Sequence, residues 1–333
     1  MKKFLFSILA VGAIVACTKS EVNYEDASEI SFAPVASTAT KAAVYGSIDG
    51  TTYPENETFY VWGYWQGDVP AGSTYTAFDD PDTYISAAVF KKNNEYWAGW
   101  KDGAHRPYYW PKTGSIVFAC LSPEGAPIQG FNKDQHSLAE NRFEFAYKNP
   151  SNTSETVDLM WVNNTESYDQ NKAGTSGVPV KFNHALSWIT FQVKGEGATL
   201  GGRYEINSLT INDVNTYGSF NSTGNGSWSS QGTPADYTVF KGIKTLDSDY
   251  ADLETNPKGT LVIPQTQTAG YTATIVYTNY LGDNKIVETI DLPLGAGWQL
   301  GVHYLYKITF TASEILIAPE VLKWTPEEKI LNY

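Results

Sequence analysis

The sequence predicts an all-β protein built from β-sandwiches. The chain has 333 residues, of which 14% are aromatic, with 22 Tyr and 10 Trp. Apolar and polar residues alternate with period two in many segments, as in strands that bury one face. Clusters of Gly, Pro, Asn and Asp separate these segments. Many short strands divided by turns are typical of a β-sandwich.

The first element is an export signal. Lys2 and Lys3 precede an apolar stretch at 4–16, which is shorter than the roughly 20 residues that a membrane-spanning helix needs. Such a stretch is read as a secretion signal. It ends in small residues followed by Cys17, the pattern of a bacterial lipoprotein processing site. We therefore expect residues 1–16 to be removed and Cys17 to carry a lipid; an ordinary signal peptide with a chance cysteine is the alternative.

A pro-segment at 17–41 follows, and it contains a strand-like stretch at 30–36. Apolar residues alternate there with smaller or polar ones, and they are Ile30, Phe32 and Pro34. Lys41 is the only Lys or Arg between Lys19 and Lys91, and it lies in a small, polar stretch. A protease that reads basic residues therefore has one target here, the Lys41–Ala42 bond.

The later strands fall into two groups. Candidate strands of the first group are 58–64, 115–121 and 142–147, and those of the second are 187–193, 209–214, 260–263, 271–278, 285–292 and 303–310. A small, polar, Gly-rich stretch at 171–178 separates the groups, which predicts domains at 42–177 and 178–333, each of typical size. The Ser/Gly/Asn-rich stretch 218–232 is predicted to be a surface loop.

Several segments together resemble the fimbrillin family of Bacteroidales. They are Ile30-Ser31-Phe32 before Thr40-Lys41-Ala42, Phe59 to Tyr64, Tyr109-Trp110-Pro111 with 116–120 and Pro123, Asp158-Leu159-Met160, Phe182 to Ser187, Leu261 to Gln265, and Trp298, Gly301, Tyr304 and Tyr306. Their order and spacing extend over nearly the whole mature chain. The resemblance implies two tandem transthyretin-like Greek-key β-sandwich domains.

The resemblance also implies an assembly route for a pilus subunit with a role in adhesion. A lipoprotein precursor reaches the outer membrane surface, a trypsin-like protease removes the N-terminal strand, and another fimbrillin subunit donates a replacement from its C-terminus. Two donor segments are possible here, the alternating residues near the end of the chain or the tail 329–333. The alternating residues are Ile315, Ile317 and Val321. The alternative is that 315–322 is simply the last strand of its own sandwich.

Composition and motifs argue against other classes of function. The net charge of −13 disfavours nucleic acid as a partner. No pair of the four histidines has metal-ligand spacing, and no nucleophile elbow, phosphate loop or dinucleotide fingerprint occurs. Cys120 lies in an apolar run and is expected to be a small buried hydrophobe. We therefore expect no catalysis and no cofactor.

The main rival hypothesis is a surface lipoprotein that binds carbohydrate and never polymerises. Several tryptophans crowd the first group of strands, and exposed indole rings stack on sugars. Trp97 and Trp100 are the pair expected to be exposed, although core packing explains the set more simply, since aromatic side chains bury large areas.

Overall fold

A computed structural model describes residues 28–35, 53–67, 71–72, 83–133, 136, 142–197, 200, 203–253, 259–312 and 314–323. The predicted lipidation residue Cys17, the Lys41–Ala42 bond and the tail 329–333 lie outside these residues. The described part contains a single short α-helix, α1 (Gln170–Ala173). Among the same residues, no helix is both long and apolar enough to span a membrane.

Strands make up nearly all the regular structure. In chain order they are β1 (Phe32–Val35), β2 (Thr58–Trp65), β3 (Thr83–Asn93), β4 (Tyr96–Lys101), β5 (Ala104–His105), β6 (Ile116–Ser122), β7 (Ile128–Gln129), β8 (Glu144–Lys148), β9 (Met160–Val162), β10 (Val178–Lys181), β11 (Asn183–His184), β12 (Ser187–Gly195), β13 (Tyr204–Asn221), β14 (Ser227–Thr245), β15 (Ala251–Asp252), β16 (Thr260–Val262), β17 (Gln265–Leu281), β18 (Asn284–Trp298), β19 (Val302–Phe310) and β20 (Ile315–Lys323). The all-β prediction is confirmed.

The first sheet curls around its own core. Its nine strands follow the order β10-β1-β4-β3-β2-β6-β9-β11, with β5 added to β4. The two ends of this order, β10 and β11, are separated along the chain by one residue, the fully buried Phe182. The chain therefore joins the two edges of the sheet. A single apolar core is enclosed, and it includes residues of β1, β2, β3, β6 and β10.

Two further sheets pack face to face. One has the order β15-β12-β19-β20 with β16 added to β12, and the other has the order β18-β17-β13-β8-β7 with β14 added to β13. Alternate residues of β12 and β19, such as Phe191 and Ile308, share a second core with residues of β13 and β17, such as Ile211 and Ile275. Much of β12, β13 and β17 buries alternate side chains, which is the packing of a β-sandwich.

A third core connects the two groups of strands. It combines Trp62, Phe145 and Trp161 with Trp188 and Ile263. In addition, β8 pairs antiparallel with β13 and so extends a sheet of the second group. The division into domains at 177/178 stays a prediction; β10, just after that point, lies in the first sheet.

The prediction of a surface loop at 218–232 is wrong. β13 continues to Asn221 and β14 begins at Ser227, so only a tight turn separates the two strands. Phe220 and Trp228 face each other across this hairpin, with ring centroids 5.2 Å apart. Cross-strand aromatic pairs stabilise a sheet, and here the pair outweighs the turn-forming composition of its neighbours.

Candidate functional site

β1 is an inner strand of the first sheet. It pairs in parallel with β10 over four residues, from Phe32 opposite Val178 to Val35 opposite Lys181. On its other side it pairs antiparallel with β4, with Phe32 opposite Trp97. The contacts extend toward the N-terminus, where the Ile30 N–H donates to the Tyr108 carbonyl at 2.7 Å. The segment 28–35 is therefore inserted between two strands and lies in a groove.

Alternate side chains of this segment fill the groove. Ile30, Phe32 and Pro34 are buried, whereas Ser31 and Ala33 are partly exposed. The three residues predicted to form the inward face of the removable strand, Ile30, Phe32 and Pro34, therefore all face the core. Their removal itself stays a prediction.

The Phe32 ring occupies a pocket made by three other phenylalanines. It meets Phe90, Phe118 and Phe59 edge to face, at centroid distances of 4.8, 5.0 and 6.0 Å. Edge-to-face aromatic pairs add roughly 0.5–1.5 kcal/mol each beyond the area that they bury. The pocket therefore holds the largest side chain of the segment 28–35.

A polar contact marks the N-terminal mouth of the groove. The Glu29 carboxylate lies 2.6 Å from His105 Nε2, and both side chains are partly exposed. Glu29 also forms an isolated bridge with Tyr109. The segment 28–35 therefore makes its carboxylate contact at its N-terminal end.

The walls of the groove depend unequally on β1. Within the described residues β10 pairs with β1 alone, whereas β4 also pairs with β3. Gly177, just before β10, has φ +76°, and a Cβ there would lie 3.0 Å from the Ser31 carbonyl oxygen. Only glycine combines this backbone conformation with such a close approach. Loss of β1 would leave β10 without its strand neighbour within the described residues, attached only through the chain on either side of it.

The C-terminal donor candidates lie on the second sandwich. β20 is the edge strand next to β19 and pairs with it antiparallel, with Ile317 opposite Ile308. Ile315 and Ile317 pack partly buried against the second core. Val321 is 66% exposed. In the structure, β20 is the last strand of its own sandwich. Its donation to another subunit stays a prediction.

The expectation that Trp97 is exposed is wrong. Trp97 is 5% exposed and belongs to the first core, 5.7 Å edge-on from Tyr53. Residues three apart on a strand point to opposite faces, so Trp97 and Trp100 cannot form one platform. Trp100 is partly exposed, with Lys91 Nζ 5.2 Å from its ring centroid. A sugar contact at Trp100 alone stays a prediction.

Buried titratable groups have structural partners. His303 stacks on Trp188 at 3.6 Å, and its Nε2 lies 2.7 Å from the Thr190 hydroxyl. His184 Nδ1 lies 2.9 Å from the Asp158 carboxylate, with both side chains almost fully buried. Burial raises the pKa of the Cys120 thiol well above its usual range. Among the residues that the structure describes, no three His, Cys, Asp or Glu side chains are grouped so as to hold a metal.

Comparisons with known proteins agree with this architecture. The model of a family described as fimbrillin-like matches residues 56–324. A fimbrial protein of Bacteroides vulgatus superimposes with a TM-score of 0.61 at 14% identity, over 89% of this chain and 99% of that chain. A candidate cell adhesion protein of Bacteroides uniformis gives 0.54 at 15% identity, over 89% and 98%. The search of curated proteins gives no match.

Proposed function

Since the chain belongs to the fimbrillin-like family, we propose that it is a pilus subunit of the bacterial surface, either structural or an accessory tip or anchor subunit. It is exported as a lipoprotein acylated at Cys17 and tethered to the outer membrane. A trypsin-like protease cuts the Lys41–Ala42 bond and releases the N-terminal strand. The subunit then joins other fimbrillin subunits by strand exchange and contributes to adhesion.

The position of β1 carries this proposal. β1 is an inner strand of the first sheet, and the segment 28–35 that contains it buries Ile30, Phe32 and Pro34, yet this is the first described segment of the chain. Burying three such side chains stabilises the fold by roughly 5–7 kcal/mol, at about 2 kcal/mol each. This is comparable with the net stability of a typical domain, about 5–15 kcal/mol. A chain that lost β1 would gain a comparable free energy by acquiring another strand.

Loss of β1 would expose both backbone and pocket. β10 and β4 would each present unpaired N–H and C=O groups, which act as a template for another strand. Strand addition satisfies the backbone, and alternate side chains fill the pockets. Donation from one subunit to the next is a heterologous contact that does not close on itself, so it produces a filament.

The test is limited trypsin digestion of the mature chain. We expect cleavage after Lys41, an N-terminus at Ala42 and growth of oligomers detected by light scattering. Lys41→Ala is the matched control, and it should remain uncut at this bond and monomeric. A chain that is fully cut after Lys41, has released the segment and remains monomeric would rule out strand exchange as the assembly mechanism.

Sequencing of the protein recovered from cells tests the maturation steps. We expect acylated Cys17 at the N-terminus of the precursor and free Ala42 at the N-terminus of the assembled form. An unmodified Cys17 in the precursor would contradict the lipid tether.

A further inference from the structure

A polar cleft lies on the outer side of the first sheet. It has a volume of about 480 Å³, within the range of roughly 300–1,000 Å³ that is typical of small-molecule sites. Its walls come from the loop 163–168 after β9, the outward face of β10, Asn183 of β11, and Gly224 in the turn between β13 and β14. The cleft therefore lies at the seam where the chain joins the two edges of the sheet.

We propose that this cleft binds an uncharged saccharide, through hydrogen bonds to the hydroxyls of a terminal sugar ring. This inference goes beyond the proposed function, since it requires neither cleavage at Lys41 nor strand exchange. The site is also separate from a sugar contact at Trp100, because Trp100 does not line the cleft.

The loop wall of the cleft is held in place by β6. The Thr165 N–H donates to the Phe118 carbonyl at 2.8 Å, and the Thr165 hydroxyl accepts from the Phe118 N–H at 3.1 Å. Three residues further on, Tyr168 and Ile116 exchange both backbone hydrogen bonds, at 2.7 and 2.8 Å. The wall is therefore formed before any ligand binds, which reduces the conformational entropy lost on binding.

The turn between β13 and β14 is tied to the same loop. The Asn163 amide donates to the Ser222 carbonyl at 2.7 Å and accepts from the Ser222 hydroxyl. Gly226 approaches the Trp161 ring so closely that a Cβ there would lie 2.9 Å from two ring carbons. The turn therefore keeps a fixed position relative to the loop, and the cleft that both line keeps its shape.

Four side chains in the cleft carry hydrogen-bonding groups that no protein atom uses within the described residues. Asn164 and Lys181 make no hydrogen bond there. Glu166 contacts Lys172 through Oε2 only, which leaves Oε1 as an acceptor. Asn183 donates to the Trp161 carbonyl at 3.4 Å, which leaves Oδ1 as an acceptor. The cleft therefore offers both donors and acceptors to a ligand.

Trp161 adds a donor in an almost buried position. It lines the cleft and is 2% exposed, and its indole N–H reaches no acceptor in the part of the chain that the structure describes. By contrast, the indole N–H groups of Trp62, Trp65 and Trp228 each donate to a backbone carbonyl. A polar group this buried normally has a partner, and a ligand hydroxyl in the cleft would supply one.

The mixture of donors and acceptors favours sugar hydroxyls over an ion. A hydroxyl both donates and accepts, and an Asn amide does the same in a fixed plane. The positive charge of Lys181 is accompanied by the negative charge of Glu166, so the cleft favours neither an anion nor a cation. The net charge of −13 further disfavours an anionic ligand.

The cleft also offers apolar surface to the carbon atoms of a sugar ring. Pro179 is exposed on the outer face of β10, and Val162 and Tyr168 line the cleft as well. A sugar ring presents C–H groups on its faces, which can pack against such surface while the hydroxyls at its rim are hydrogen-bonded. A neutral hexose would use both kinds of surface.

The experiment titrates methyl glycopyranosides of glucose, galactose, mannose, fucose and N-acetylglucosamine against the full mature chain before cleavage at Lys41. Binding is measured by saturation-transfer-difference NMR. We expect at least one of them to bind with a dissociation constant on the order of 1 mM, as for a ligand of about a dozen non-hydrogen atoms. Its affinity should not change in high salt, because the ligand is uncharged.

Single substitutions locate the bound sugar. Asn164→Ala and Lys181→Ala should each weaken binding about fivefold to tenfold, because each removes hydrogen bonds to the ligand. Both variants should keep the thermal midpoint of the natural chain. Asn284→Ala and Lys241→Ala are the matched controls, since both residues are exposed and lie outside the cleft. They should leave the affinity within about twofold.

Three results would overturn the inference. The first is that none of these glycosides binds. The second is that only the corresponding hexuronides bind, with an affinity that falls in high salt, which would indicate an anion site. The third is binding that is unchanged in both Asn164→Ala and Lys181→Ala, which would place the sugar elsewhere, for instance at Trp100. Each of these results leaves the proposed pilus function intact, because that function is tested by the assembly of the cleaved chain.

Discussion

Two buried imidazoles make the stability of the protein sensitive to acid. Burial lowers the pKa of His136 and of His303 from 6.5 to about 4. The unfolded chain therefore binds these protons at a higher pH than the folded chain does. Their neutral forms favour the fold fully above pH 6.5, and this contribution is lost as the pH falls from 6.5 toward 4.

We expect the free energy of unfolding to fall by up to about 1.4 kcal/mol per pH unit for each histidine within this window. Urea unfolding at about pH 7.5 and at about pH 5.5 measures the loss, above the range in which most carboxylates titrate. His303→Gln retains a polar group near Thr190 without a titrating proton and should lose less stability on acidification. An equal loss in this variant would show that His303 is not one of the responsible groups.

At the scale of the strand, much of what β1 contributes is concentrated in one side chain. Phe32→Ala removes a ring that is surrounded by three others, and the pocket cannot collapse easily because it is built from separate strands. We expect a loss of about 3–5 kcal/mol in the free energy of unfolding, measured by denaturant titration of the uncleaved chain. Ser31→Ala, its neighbour on the other face, should change stability by less than about 0.5 kcal/mol. Similar effects of the two substitutions would mean that the groove is not the main anchor of β1.

The sequence predicted individual strands better than their partners. Alternation correctly indicated β12, β19 and much of β17, because a period of two is a local property of a strand. The pairing of Phe32 with Val178 joins distant parts of the chain, and no local pattern encodes it. The exposure of Trp97 was misjudged for a related reason, because its burial depends on Phe32 and Tyr53, which are distant from it in the sequence.

At the scale of the whole molecule, the third core couples the two groups of strands. It takes Trp62 and Phe145 from one and Trp188 from the other, and β8 lies in a sheet of the second group. We expect one cooperative thermal transition, with calorimetric and van't Hoff enthalpies that agree. Phe145→Ala should shift this single transition to lower temperature without splitting it. Two resolved transitions in the unmodified chain would show that the groups unfold independently.

If β1 is removed as proposed, the continuity of the first sheet through Phe182 limits how many strands a chain can accept. Neighbouring strands lie about 4.8 Å apart, so removing β1 leaves a gap of about two spacings between β10 and β4, enough for one strand. Under the proposed strand exchange, a chain with one vacancy and one donor strand has a valence of two, and its polymers are unbranched. Such a polymer is polar, because one terminus keeps an empty groove and the other keeps an unused strand. A chain that lacks either feature would cap one terminus only.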